Sequence, residues 1–262
     1  MKKAMPLPMD VRLMYFTANL LVVGVVLLAL GNGVRWVFAH PVFSIESISV
    51  HGEVSRNNAV TFKANVMPKL SGNFFTLDLD AARQAFEAVP WVRSAVVRRD
   101  YPNHLHVVLQ EHRPVALWGQ EEATTMVNQQ GQVFEANLDE ADVEDLPRMK
   151  GPDGLSREVL QMYQYLRPIY VAMDMDIDEL ELTPRGSWRL LTKAGAWMEL
   201  GRGNEAEVGA ALKVFFKTLS QVTGRYGRTS TSLIGADLRH KDGYALRLQG
   251  VNTVEADGNK RP

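Results

Sequence analysis

Between Arg12 and Arg35 the chain carries no charge, and residues 13–34 read LMYFTANLLVVGVVLLALGNGV. Those twenty-two residues, at about 1.5 Å rise each, predict a helix of roughly 33 Å, which matches a hydrocarbon core of about 30 Å. A buried core helix rarely stays apolar on every face for this long. A cleaved signal peptide has a shorter apolar core and a small-residue exit, and His40 and Pro41 offer no such site. The pattern therefore predicts an uncleaved anchor that crosses the membrane once. Lys2, Lys3 and Arg12 against Asp10 make the amino-terminal flank the more basic one, which places residues 1–12 in the cytoplasm and nearly everything else outside it. Tyr15 and Phe16 at one end and Trp36 at the other fall where amphipathic rings settle at the interfaces.

After a linker at 35–42, residues 43–52 (FSIESISVHG) alternate irregularly through Ile45, Ile48 and Val50 and end on Gly52, predicting a strand. Ser55 is a candidate N-cap for a helix that aligns Ala59, Phe62 and Val66 and stops before Pro68. Asp78 caps a second helix, with Leu79, Ala82, Phe86 and Val89 on one face and Pro90 as its limit. Residues 91–99 are β-prone, Tyr101-Pro102-Asn103 supplies turn chemistry, and Leu105, Val107 and Leu109 alternate against His104, His106 and Gln110. The order β, α, α, β, β predicts a module at 43–113 with both helices on one face of a three-stranded sheet, and Arg93, Arg98, Arg99 and Asp100 available to the other.

The remainder, 114–250, reads as a larger, mainly antiparallel sheet with helices. Short strands at 124–127 and 133–134 bracket Asn128-Gln129-Gln130-Gly131, and the acidic run 137–145 reads as a solvated loop. A helix from Ser156 aligns Val159, Met162, Tyr163 and Leu166 and is limited by Pro168. Strands at 179–182, 187–192 and 196–200 form a meander, and Gly201-Arg202-Gly203 opens a long helix whose apolar face is Val208, Ala211, Leu212, Phe215, Leu219 and Val222. Strands at 233–238 and 244–248 close the domain around a turn at 240–243, and the polar tail 251–262 is expected to be disordered. The fold class is α+β behind a single transmembrane helix.

Composition narrows the function. About 225 residues follow the span, enough for two domains, and they include no cysteine, so disulfides and thiolate chemistry are excluded. The formal net charge of −1, with no basic run after the membrane, lacks the footprint of a nucleic-acid binder. Asp174, Asp176 and Asp178 mimic the first ligands of a calcium loop, but Glu179 stands where a glycine must turn and Arg185 where a bidentate glutamate is needed. The glycines at 201 and 203 are half of a dinucleotide fingerprint, and Glu205 and Glu207 beside them would repel a pyrophosphate. His104, His106 and His112 share one strand parity, a pattern also met in zinc sites, though exposed surface histidines account for it as well. With no G-x-S-x-G elbow and no recognisable carboxylate pair, no catalytic constellation, cofactor site or small-molecule substrate is indicated.

The motifs Pro90-Trp91-Val92, Arg98-Arg99, Tyr101-Pro102, Glu111-His112-Arg113-Pro114-Val115-Ala116 and Trp118 resemble those of the FtsQ (DivIB-like) cell-division family. The resemblance extends through Val127-Asn128, Gly131, the RGSW and LGRGN segments at 185–188 and 200–204, and ADLRHKDGYAL at 236–246, departing mildly at His240, where bulkier aromatic residues are common. It implies that 43–113 is a POTRA domain, that the chain is a non-enzymatic divisome scaffold in the inner membrane at the septum with its bulk in the periplasm, and that its partners are of the FtsB and FtsL type. It also implies candidate partner-binding residues, Arg185 and Trp188 on one strand and Asp237, Leu238, Arg239, His240 and Tyr244 near the last hairpin, with Trp188 and Leu238 equally readable as core. A membrane-anchored periplasmic cell-wall enzyme is the alternative. A barrel-assembly factor ranks third, since no series of lipid-facing strands of about ten residues follows. Strand addition at the carboxy-terminal edge is the expected mode of contact. A reporter fused after Pro262 is expected to be active in the periplasm and silent in the cytoplasm, and cytoplasmic activity alone would reverse the orientation.

Overall fold

The computed structural model describes residues 9–38, 40–57, 59–120, 124–138, 143, 145–240 and 243–251. The tail 252–262 and most of the acidic run lie outside the described residues. Helix α1 (Met9–Phe38) contains the apolar stretch, is exposed along its length and is the single helix, among the described residues, long and apolar enough to cross a membrane. It extends four residues past the predicted span, so residues 35–38 are helical rather than linker.

The chain divides into two compact units, one through Glu111 and the other from His112. The first holds β1 (Ser47–Gly52), α2 (Ala59–Asn65), α3 (Leu79–Glu87), β2 (Val92–Asp100) and β3 (His104–Glu111), with the sheet in the order β1-β3-β2. Strand β3 is central, parallel to β1 and antiparallel to β2. Its alternation places Val107 and Leu109 against Phe62, Val66, Ala85 and Phe86, and Leu105 against Leu77 and Ala82, so the two helices cover one face. Asp78 caps α3 as expected, its carboxylate accepting from the N–H groups of Asp80 and Ala81 at 2.8 and 3.2 Å.

Three readings change. Residues 43–46 precede β1, because Pro41–Phe43 forms a 3-10 turn instead of extending the strand. Arg99 pairs in register with the buried Leu105 and therefore lies on the helix-bearing face, unlike Arg98, which shares the open face with His106. Its guanidinium donates to the carbonyls of Phe74 and Leu77 at 2.5 and 2.6 Å, so the charge is spent on the loop before α3. Helix α2 starts four residues after Ser55, because residues 55–57 are held in a bend by Glu111. This carboxylate, only 5 % exposed, accepts from the N–H groups of Ser55, Arg56 and Asn57, the Ser55 hydroxyl and the Asn57 amide at 2.7 to 3.2 Å.

The second unit holds β4 (Pro114–Trp118), β5 (Thr125–Asn128), β6 (Val133–Glu135), β7 (Arg148–Lys150), α4 (Ser156–Val171), β8 (Ile177–Leu182), β9 (Ser187–Thr192), β10 (Trp197–Arg202), α5 (Glu205–Arg225), β11 (Leu233–Asp237) and β12 (Ala245–Leu248). They form one nine-stranded sheet in the order β12-β11-β10-β9-β8-β7-β4-β5-β6. It is mixed. Helix α4 bridges the parallel pair β7 and β8, helix α5 bridges the parallel pair β10 and β11, and β7 is also parallel to β4. Strand β7, three residues long, has no periodic signal to announce it. Helix α4 continues past Pro168 to Val171. A proline this close to the end removes one backbone bond, and the extra turn buries Tyr170 completely, its hydroxyl donating to the Met198 sulfur at 3.2 Å.

Cross-strand rows explain how the sheet is two-faced. Leu180, Leu190, Met198, Ala236 and Leu246 are successive partners across β8 to β12 and face the helices. Replacing Glu111 by alanine strands several backbone donors at the start of α2, each costing about 1 to 3 kcal/mol if left without an acceptor. With water replacing part of the loss, the first unit should lose about 3 kcal/mol in urea unfolding of the chain lacking α1, and a loss under about 0.5 kcal/mol would contradict this role.

Candidate functional site

The other row of partners, one residue out of phase, runs Glu181, Arg189, Glu199, Asp237 and Ala245 along the helix-free face. Arg189 sits between two acids, 2.9 Å from Glu199 and 3.9 Å from Glu181. Asp237 then stands beside Glu199, a like charge that needs a cation. Arg239 supplies it from two residues on. Its Nε and Nη2 donate to the two carboxylate oxygens of Asp237 at 2.9 and 2.6 Å, and its backbone N–H adds a third bond at 3.0 Å. The Arg239 hydrogen bonds hold the Asp237 carboxyl down to about 2, and the same pairing raises Arg239.

This row opens on a groove of about 800 Å³ whose walls include Glu181, Arg185, Arg189, Glu199, Arg202 and Arg239. Arg185 lies in the turn between β8 and β9 rather than on the strand with Trp188, and it makes no ion pair among the described residues. The groove is cationic at its rim, since Arg189 is matched by glutamates while Arg185 and Arg202 make no ion pair among the described residues. Arg202, Arg189 and Glu199 belong to this surface although, of its lining, the family resemblance implies only Arg185 and Arg239; the alternating charges of β8 to β10 are the available signal.

The remaining expected contact residues separate by burial. Trp188 is 2 % exposed, with its indole N–H donating to the Gly203 carbonyl at 3.0 Å, and Leu238 is 6 % exposed, so both are core. Tyr244 is half-buried. Its ring meets Phe215 edge to face at 5.0 Å and its hydroxyl hydrogen-bonds Thr218, which fastens the start of β12 onto α5. Asp237, Arg239 and His240 are left at the surface near the end of β11, while Arg185 is exposed in the turn between β8 and β9.

Among the described residues strand β12 pairs only with β11 and forms one end of the sheet. The Gln249 N–H donates to the Ser232 carbonyl at 2.9 Å, which, with the partners Asp237 and Ala245, Gly235 and Arg247, aims odd-numbered N–H groups inward. Leu246 therefore turns its N–H and C=O groups, and Leu248 its N–H, away from β11 while their side chains face the core, and the Leu248 carbonyl accepts from the Val251 N–H at 3.3 Å. Of the histidines in question, His104 meets the Ser47 hydroxyl at 2.6 Å and His106 stacks on His51 at 4.8 Å, whereas His112 stacks on Phe134 at 4.1 Å in the second unit. No group of three metal-ligating side chains occurs among the described residues.

One helix long and apolar enough to cross a membrane, a small α+β module of POTRA type and a nine-stranded mixed sheet define a class of two-domain protein behind a candidate membrane span. Residues 43–112 match the FtsQ-type POTRA domain, and residues 116–239 match the carboxy-terminal region of the cell division protein FtsQ/DivIB. The chain belongs to the FtsQ family. It is 37 % identical over 260 residues to the cell division protein FtsQ of Thiomonas arsenitoxydans, covering 98 % of this chain and 94 % of that one. It is also 35 % identical to the FtsQ of Burkholderia pseudomallei (96 % and 99 % covered) and 36 % identical to that of Bordetella pertussis (96 % of each).

Because Asp237 is depressed below its ordinary 3.8, its pairing stabilises the fold above about pH 4, and that contribution is lost as pH falls toward 2. Arg239→Gln should return the Asp237 carboxyl toward the ordinary range in a carbon-13 NMR titration; an unchanged titration would assign the depression to something other than Arg239.

Proposed function

We propose that this protein is a non-enzymatic scaffold of the division septum, anchored in the inner membrane with its amino terminus in the cytoplasm and both folded units in the periplasm. It recruits FtsB-like and FtsL-like divisome proteins. The contact is an extended segment of the FtsB-like partner added as a tenth strand beside β12, with the cationic groove taking an acidic side chain of the same segment. The observation that carries this reading is the outward main-chain edge of β12 at Leu246, one strand away from Asp237, whose partner Arg239 lines the groove.

Magnitudes support a division of labour. A strand as short as β12 offers few outward main-chain groups, each bond worth about 0.5 to 1.5 kcal/mol net, so the edge alone sets register more than affinity. A charge-assisted bond adds about 1.5 to 3 kcal/mol, and an arginine already positioned by Asp237 loses less freedom on binding.

Two measurements test it together. In hydrogen exchange the Leu246 and Leu248 amides should be fast in the free protein and become protected when an FtsB-like periplasmic segment binds. Arg185→Glu, in an exposed turn, should change folding by about 0.5 kcal/mol or less and weaken that binding at least tenfold. A segment that binds with both amides still exchanging rapidly and with unchanged affinity for the variant would remove strand addition at β12.

A further inference from the structure

We propose that the membrane-proximal end of the first unit is a lipid-contacting foot, which rests its apolar tips in the outer headgroup zone of the same bilayer that α1 crosses. The inference rests on α1 being a membrane span and is independent of how β12 is used.

Strand directions bring one end of the unit together. Strand β1 starts opposite His104, so the turn at 101–103 lies at the end where the chain leaves α1. The loop before α3 reaches the same end, since the Phe74 N–H donates to the Phe43 carbonyl at 2.8 Å and the Asn73 amide donates to the Phe38 carbonyl, at the last residue of α1. Phe75 packs edge-on against both Phe38 and Phe43, with ring centroids 4.9 and 4.8 Å apart, and Phe74 meets Tyr101 at 6.1 Å. The loop is stiff. Arg99 ties its carbonyls, and the Asn73 carboxamide oxygen accepts from the N–H groups of Phe75 and Thr76 at 3.0 Å.

These residues are apolar where a water-facing loop has no reason to be. Val42 is 63 % exposed, Tyr101 75 %, Met67 48 % and Phe75 41 %, and the exposed Lys69 stands beside Met67. Depth decides what covers them. If residues 13–34 fill the hydrocarbon, Phe38 lies four residues or about 6 Å beyond it, and the headgroup zone on each side is about 5 to 7 Å thick. A ring touching Phe38 is therefore at the height of the headgroups, the zone where aromatic side chains are enriched and where a lysine stem lies along apolar surface with its ammonium at the phosphates. The bilayer is already continuous with this surface through α1, so it is the occupant we assign.

The chain contains no cysteine, so single-cysteine variants of the full chain can carry a nitroxide at chosen sites. Reconstituted in phospholipid vesicles, Phe75→Cys, Tyr101→Cys and Val42→Cys are compared with Leu28→Cys inside α1 and with Val96→Cys, exposed in the middle of β2. Labels at 42, 75 and 101 should show an oxygen-to-nickel-chelate accessibility ratio between those references and at least threefold above Val96. If 42, 75 and 101 match 96 while 28 reads as lipid, the foot is refuted and the anchor stands. If 28 reads as water, the span fails and the foot with it. Shielding at 75 and 101 that appears only when divisome partners are added would assign the surface to protein and overturn the proposal.

Discussion

A peptide group that leaves water must find another hydrogen-bonding partner, and this one requirement shapes the chain from end to end. In α1, a helix long and apolar enough to cross a membrane, it is met within the helix except at the ends, where the Phe38 carbonyl accepts from the Asn73 amide. In both folded units it is met by sheets, and sheets end. Among the described residues the mixed sheet of the second unit has β6 at one edge and β12 at the other, and β12 is paired along one side, with β11.

Charge is arranged around that edge for direction more than for stability. The row Glu181, Arg189, Glu199 and Asp237 is partly exposed, and ion pairs of that kind contribute about 0 to 1 kcal/mol each. Placing an aspartate next to a glutamate creates a local need that Arg239 answers, and the answer fixes where the guanidinium points. The same economy is seen at Arg99, whose donors are consumed by loop carbonyls and hold Phe75 where α1 ends.

Consecutive residues commit to different cores at the junction of the units. The Glu111 carboxylate organises the bend before α2, while the His112 ring stacks on Phe134 and meets the buried Asn128 at 2.9 Å. In the motif Glu111-His112-Arg113-Pro114 the first two side chains thus serve separate units.

By itself the sequence determined the elements whose signals are local: the charge-free length of α1, the Asp78 cap, the alternation of β3, the amphipathic face of α5 and the order of motifs that identifies the family. Trp188 and Leu238 were legible as core or contact, and burial decided for core. What only the tertiary structure decided depends on partners far along the chain. Three-residue β7 is a strand because β4 and β8 lie on either side of it, and α4 runs through Pro168 because Tyr170 has a core to enter. Arg99 faces the helices because its register partner is Leu105, and Tyr244 turns inward because Thr218 and Phe215 wait on α5. Periodicity records which face a residue prefers, whereas register and long-range hydrogen bonding decide which neighbours that face will meet.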